Sequence, residues 1–502
     1  MISGDLNGDD VFYLGNIVDN SQHLITLTGV QNVVIDGFTL RGGYTTGSTS
    51  QVGGAIRALS SQFTVRGCRF DSNVAKFGGA IGLEVASTAV VEDCVFAYNE
   101  VRYGHGGAIE VGGGSGIQIH RCEFRQNRAT GGSLVGRGGA IDVAPLGTIL
   151  VEDSLFRNNL AEFGCCGGVG PSEGGAVSIR GTGAVLRGCR FLGNEAHDGG
   201  GISVRGQATI ENSIFSGNRG LAELGQGGFG GAMLVRGGGA GLVATACTIY
   251  GNLSHFGSAG LFVEPGNSAL ADSCVLWGNI DLRGGVGISQ IENGTPVNCC
   301  VQNMLVAPAG MPAPDPSVFA TCFDQDPQFL DPNGADGIQG NEDDDFRLAA
   351  TSPCIDAGSQ NTGLVGLDLD GALRCLDGDL DGVRILDVGA CEYANVRLEV
   401  ARQVMPDGSV KLTASLDSTD AFPLFLSVGL QRAANVNIDP WGEWFVDWSS
   451  PYLLYFMGYG DVVGPDLILP ANYPVLDVSF QAIAIAGTGV GNFSNPVLMQ
   501  VP

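Results

Sequence analysis

The amino-acid sequence predicts an all-β chain: a right-handed parallel β-helix solenoid followed by a C-terminal β-sandwich accessory domain. Three observations carry this. A six-residue landmark returns every 24 to 35 residues, apolar and polar residues alternate between its copies, and glycine, 81 residues in all, punctuates each copy. A period of about 20–50 residues signals a solenoid, because one repeat cannot bury its apolar face alone.

The landmark is read as "CRFDSN" ending at Asn73, "CVFAYN" at Asn99, "CEFRQN" at Asn127, "SLFRNN" at Asn159, "CRFLGN" at Asn194, "SIFSGN" at Asn218, "CTIYGN" at Asn252 and "CVLWGN" at Asn279. A "GGAI"-like strand start precedes each landmark by 13 to 16 residues, at Gly54, Gly79, Gly107, Gly139, Gly175, Gly200, Gly231 and, degenerately, Ala259. That separation hardly varies, so insertions are excluded from it. Alternation such as Val65, Cys68 and Phe70 with polar neighbours turns an apolar set inward on short strands. Gly and Asn supply the turns between them.

Coils stacked about 4.8 Å apart place equivalent residues above one another. Phe70, Phe96, Phe124, Phe156, Phe191 and Phe215 then form an internal aromatic stack. The recurrent Asn forms an amide ladder, since an unpaired buried amide costs roughly 1–3 kcal/mol and a stack satisfies each member from its neighbour. Cys68, Cys94, Cys122, Cys189, Cys247 and Cys274 share a position with Ser154 and Ser213, so small and buried is what that position requires. Parallel Cβ vectors do not suit a disulfide torsion, and free thiols are expected there. Outside the ladder, Cys165, Cys166, Cys299, Cys300, Cys322, Cys354, Cys375 and Cys391 could pair in an oxidising compartment.

This pattern resembles the right-handed β-helix proteins related in fold to pectin lyases, and in particular bacterial surface proteins with repeats of the polymorphic outer-membrane protein type. The resemblance spans residues 20–303 and implies the fold rather than one activity, since lyases, hydrolases, tailspikes and adhesins share it.

Composition narrows the partners. Fifty-two acids against 25 bases give a net charge of −27, which repels nucleic acid and anionic membranes. No apolar run approaches the ~18 residues of a membrane span. The opening "MISGDLNGDD" has neither a basic start nor an apolar signal core, and a strand follows within a few residues. The expectation is a monomeric extracellular or cell-surface protein whose signal peptide and first coils are missing from this chain.

Three segments are expected: residues 1–303, a β-helix of about ten coils; 304–395, an acidic closing segment that caps it; and 396–502, the β-sandwich. The middle segment, with "SPCIDAG", "LDLDG" and "DVGACEY", is similar to the closing segment of large secreted bacterial β-helix proteins. The last carries Trp441, Trp444 and Trp448, read as core tryptophans.

Chemistry is expected on the loops between each Asn and the next Gly pair. Their length varies from four residues after Asn73 to fourteen after Asn159. The first outward column beyond them runs Arg57, Gly82, Glu110, Asp142, Ser178, Ser203, Leu234 and Phe262. Glu110 and Asp142 are thus vertical neighbours, a pair able to split its pKa values for acid/base chemistry on a glycosidic bond. Against this stands a plainer reading, solvated acids on an acidic surface. His105 sits upstream in "GHG", similar to a triplet of polygalacturonases, but their Asn-Thr-Asp segment, aspartate doublet and Arg-x-Lys are missing. Two residues on, Arg180, Arg205 and Arg236 occupy consecutive coils. They suggest either salt-bridged partners from nearby loops or an anionic ligand such as a uronate. Glu195, His197 and Asp198 could supply those partners or floor a notch.

Calcium is the expected cofactor, in a structural role. Asp377, Asp379 and Asp381 reproduce the start of a calcium loop, although Asp387 comes one position early for its twelfth ligand. Asp331, Asn333 and Asp336 with Asp343, Asp344 and Asp345 form a second acidic loop, and Asp5, Asn7 and Asp9 a third; turn chemistry accounts for all three as well. The function expected is a structural and binding protein with a polysaccharide or cell-envelope partner. The alternative is a polysaccharide lyase or glycoside hydrolase acting on an acidic polysaccharide.

Overall fold

The computed structural model describes residues 1–393 except 11–15, 46–50, 132–134, 163–169, 223–226, 283–289, 307–313, 361–363, 365–366, 373, 375–377 and 379–383; beyond 393 it describes the backbone of the strands. The chain divides into two compact units, residues 1–327 with 331–346, and residues 328–330 with 347–502.

The first unit is a parallel β-solenoid with four short strands to each coil. Its four parallel sheets are called first to fourth here, in the order a coil visits them. In one coil they receive Ile81–Glu84, Thr88–Glu92, Val95–Ala97 and Glu100–His105. Among the described residues the sheets hold 10, 10, 11 and 9 strands in that order, or about nine turns. The landmark supplies the third sheet, the "GGAI" segments the first. Registers match the repeat: Phe70, Phe96, Phe124, Phe156, Phe191 and Phe215 are successive partners.

Their rings stack 4.5 to 4.8 Å apart and within 7° of parallel. Each is fully buried, and burying such a side chain contributes about 1.5–3 kcal/mol. The amide ladder closes as expected. Asn99 Oδ1 accepts from the Asn73 backbone N–H at 3.1 Å and from Asn73 Nδ2 at 3.0 Å, while Asn99 Nδ2 donates to the Phe70 carbonyl at 3.1 Å. After Asn279 the ladder continues into Gln290, whose Oε1 accepts from Asn279 Nδ2 at 2.7 Å. Cys68, Cys94, Cys122, Cys189, Cys247 and Cys274 are buried free thiols. Cys299, expected outside the ladder, is its next rung: the Cys274 N–H donates to Cys299 Sγ at 3.3 Å. Cys165, Cys166 and Cys375 lie outside the described residues.

The paired glycines are dictated by close approach. Gly106 has φ +69°, and a Cβ on Gly107 would lie 2.0 Å from the Gly139 carbonyl oxygen of the next coil. Only glycine allows that corner to stack.

Residues 331–345 form a strap over the third sheet. Arg157 meets Glu342 at 2.6 Å, and Ser216 Oγ donates to Asp344 Oδ2 at 3.1 Å. A Cβ on Gly217 would lie 2.7 Å from the Gly340 Cα.

In the second unit the strands pair antiparallel. Val396–Val404 lies beside Val410–Ser418, and that strand beside Val462–Leu469. Pro423–Gly429 lies between Tyr452–Tyr459 and Leu476–Ile485. No helix among the described residues is long and apolar enough to cross a membrane.

Candidate functional site

The first sheet places the two expected columns as the repeat implies. Gly82, Glu110, Asp142, Ser178, Ser203, Leu234 and Phe262 are successive register partners. One expectation is overturned here: the acids are not solvated. Glu110 is 8% exposed and Asp142 0%. The physical reason is a third column, supplied by the residue before each Gly pair, which runs beside the first sheet through Phe77, His105, Arg137, Glu173 and Asp198. Its side chains and those of Arg180, Arg205 and Arg236 close over the sheet.

Each arginine reaches back toward the preceding coils. Arg180 Nη2 donates to Asp142 Oδ2 and lies 4.0 Å from Glu110 Oε1. Arg205 holds Glu173 through two hydrogen bonds, Nε to Oε2 at 2.7 Å and Nη2 to Oε1. Arg236 Nη1 donates to Asp198 Oδ2 at 2.6 Å and lies 3.6 Å from Glu173. Arg137 lies 3.6 Å from Glu173, and its Nη1 lies 3.2 Å from His105 Nε2. Four carboxyl groups (Glu110, Asp142, Glu173, Asp198) thus meet four guanidiniums (Arg137, Arg180, Arg205, Arg236). Asp142, Glu173 and Asp198 each hold one of Arg180, Arg205 and Arg236, so the three-arginine column offers no unpartnered cation to an anionic ligand.

The two remaining loop residues separate. His197 Nδ1 lies 2.8 Å from Ser172 Oγ, and Glu195 lies 3.9 Å from Arg219, away from the arginine column. Of the three, Asp198 is the one that partners the arginine column. Glu173 and Arg137 were not singled out from sequence. Their signal was the shared position immediately before a Gly pair, the place His105 and Asp198 also hold.

The carboxylate pair splits. Burial, then the Asp142 charge, pushes the Glu110 carboxyl well above the usual range. Burial opposes ionisation of Asp142 as well, but the Arg180 and His105 charges outweigh it and hold Asp142 below that range. The Ser178 hydroxyl also favours the Asp142 carboxylate, and a hydrogen bond from the Glu110 carboxyl to Asp142 leaves one proton shared between the two. Burial lowers the His105 pKa, favouring neutral imidazole. An acid beside a base is the division of labour that glycosidic chemistry uses. The pair, however, is covered by its own protein.

The expected calcium ligands fare differently. Asp377, Asp379 and Asp381 lie outside the described residues. Asp387 is buried and accepts the Asp356 and Tyr393 backbone N–H groups beside Glu392, which pairs with Arg374. It holds the fold of its own segment. In the second acidic loop, Asp336 and Asp343 cap backbone N–H groups of the strap. At the N-terminus, Asp5, Asp9 and Asp10 bring one carboxylate oxygen each within 4.8 Å of one another.

A different surface lies open. The outer face of the second sheet carries two adjoining shallow depressions of about 570 and 420 Å³, sharing Gly183 and Val185 and floored by residues such as Thr64, Val90, Leu150 and Val243.

Residues 6–145 match the family described as "Right handed beta helix region". The first unit is accordingly a right-handed parallel β-helix. No curated protein and no solved structure matches the chain.

Proposed function

We propose that this chain is a structural and binding protein of the secreted or cell-surface kind, which displays a rigid solenoid to a polysaccharide or cell-envelope partner. The observation that carries this reading is the network that closes over the first sheet. Arg180, Arg205 and Arg236 are each committed to a carboxylate, and the Asp142 side chain has no exposed surface. The outer face of the second sheet remains available to a partner.

Incubating the protein with a panel of polyuronides, sulfated and neutral glycans, with and without calcium, tests it. Binding without chain shortening or unsaturated ends is expected, and Arg205→Ala should leave glycan affinity unchanged because Arg205 is held by Glu173. Cleavage abolished by Glu110→Gln or Asp142→Asn would sink the reading.

A second reading, a lyase or hydrolase acting on an acidic polysaccharide, draws on one observation: the opposite displacement of the Glu110 and Asp142 pKa values. It requires the arginine column to move aside, and the same assay decides it.

A further inference from the structure

The outward side chains of the second sheet form two long columns. The central one runs Val34, Thr64, Val90, Gln118, Leu150, Val185, Thr209, Val243, Leu270 and Thr295. The flanking one runs Asp36, Arg66, Glu92, His120, Glu152, Arg187, Glu211, Thr245 and Asp272 in the same strands. Large apolar groups stay in water on this face: Val34 is 56% exposed, Val243 40% and Leu270 36%.

The flanking column complements itself when reversed, and so does the central one apart from Gln118, which meets Leu150 at the axis. A two-fold axis lying in the sheet plane along the strand direction lays the face on its own copy, column on column, with coil order inverted. With the axis between the Gln118 and Leu150 strands, Arg66 meets Glu211, Glu92 meets Arg187 and His120 meets Glu152. In the central column Val34 meets Val243, Thr64 meets Thr209, and Val90 meets Val185. Gln62, at the far edge, meets Gln207. Moving the axis by half a strand spacing in one direction sets Arg66 on Arg187 and Glu92 on Glu152. In the other direction it sets Glu92 on Glu211 and Asp36 on Asp272. The chosen register leaves one acid, Asp36, on Thr245; a full spacing toward the C-terminus keeps opposite charges elsewhere but leaves two acids without a cation, Glu92 on Thr245 and Asp36 on Val297, and a full spacing the other way loses two strands of overlap. Like charges face to face cost enough to reject a register, and opposite ones fix it.

We propose that this face is the interface of an antiparallel two-fold dimer of the chain, in the register that pairs Glu92 with Arg187 of the other copy. A surface that matches itself under a two-fold rotation is what an isologous dimer requires. Eight strands about 4.8 Å apart and about five residues long, at about 3.4 Å per residue, make a sheet face of roughly 650 Å² per copy, about 1,300 Å² for the pair and toward the low end for specific complexes. The dimer is therefore reversible. The charged column is laddered within each copy, Arg187 standing 2.7 Å from Glu211 and 3.1 Å from Glu152, and association shares those charges with the partner.

Sedimentation of the full chain from about 1 μM to about 1 mM, a range that spans reversible association, tests the proposal. A monomer–dimer equilibrium is expected. Arg187→Glu should weaken it at least ~10-fold, because each dimer contains the altered pair twice. Glu92→Arg combined with Arg187→Glu should restore it, with circular dichroism confirming that all the proteins are folded. A chain that stays monomeric throughout overturns the proposal, as does a dimer indifferent to Arg187→Glu or one that the double variant fails to rescue. A neutral polysaccharide that binds this face of a monomeric chain would overturn it too.

Discussion

Asp142 and Glu110 occupy equivalent places in adjacent coils, yet their substitution should have unequal effects. Asp142 is ionised and gives Arg180 its closest carboxylate, so Asp142→Asn leaves a buried guanidinium poorly compensated. A loss of about 3–5 kcal/mol in chemical denaturation is expected, the range for breaking a buried pair. Glu110 is the protonated member, and Glu110→Gln should shift stability by less than ~1.5 kcal/mol below the ordinary glutamate pKa, where the wild-type carboxyl is protonated in folded and unfolded chains alike. The pH dependence has a definite sign. Because the folded pKa of Glu110 lies above its unfolded value, the folded state binds the extra proton in that window. Its contribution is complete below the ordinary glutamate pKa and is lost as pH rises toward the folded value, by at most ~1.4 kcal/mol per pH unit. Denaturation midpoints of wild type and Glu110→Gln compared across that range should show this loss in the wild type alone; parallel profiles would remove the shared proton. The Glu110–Asp142 neighbourhood was legible from the period, because register places equivalent residues side by side. Its burial was not, because the position that covers it changes residue type from coil to coil, from Phe77 through His105, Arg137 and Glu173 to Asp198.

At the scale of single elements, the ladders dominate. Asn127 Oδ1 accepts from the Asn99 N–H at 3.1 Å and from Asn99 Nδ2 at 3.0 Å, and Asn127 Nδ2 donates to the Phe96 carbonyl at 3.0 Å. Asn127→Ala strands buried groups in the coils on both sides, each worth about 1–3 kcal/mol, so a loss above ~3 kcal/mol is expected by denaturant titration. Phe156→Ala opens a gap inside the ring stack and should cost about 3–5 kcal/mol. The strap differs: Glu342 is half-exposed and its ion pair with Arg157 lies at the surface. Glu342→Ala should therefore cost less than ~1 kcal/mol. The Phe, Asn and Cys columns were legible because strand alternation decides which side chain faces inward, whatever else the chain does. The extension of two of them to Cys299 and Gln290 was not, because the landmark lapses after Asn279 while the stacking continues.

Across the whole molecule, a solenoid contacts only its neighbouring coils, so stability is distributed along its length. Amide hydrogen exchange should be slowest in the third-sheet strands from Phe96 to Phe191, where rings stack on both sides, and faster in Ile25–Thr28 at the outer edge of the first sheet. Uniform protection from end to end would contradict a linear assembly. The sequence by itself determined the coil, its inward ladders and the register of its outward columns, because a short strand's alternation and a glycine corner are local properties that repetition copies. Tertiary structure alone decided which columns meet water. The first sheet is closed over by Arg180, Arg205, Arg236 and the residues that precede each Gly pair, while the second sheet stays bare. That choice depends on loops of unequal length and on which charges find each other across coils, and neither is encoded within one repeat.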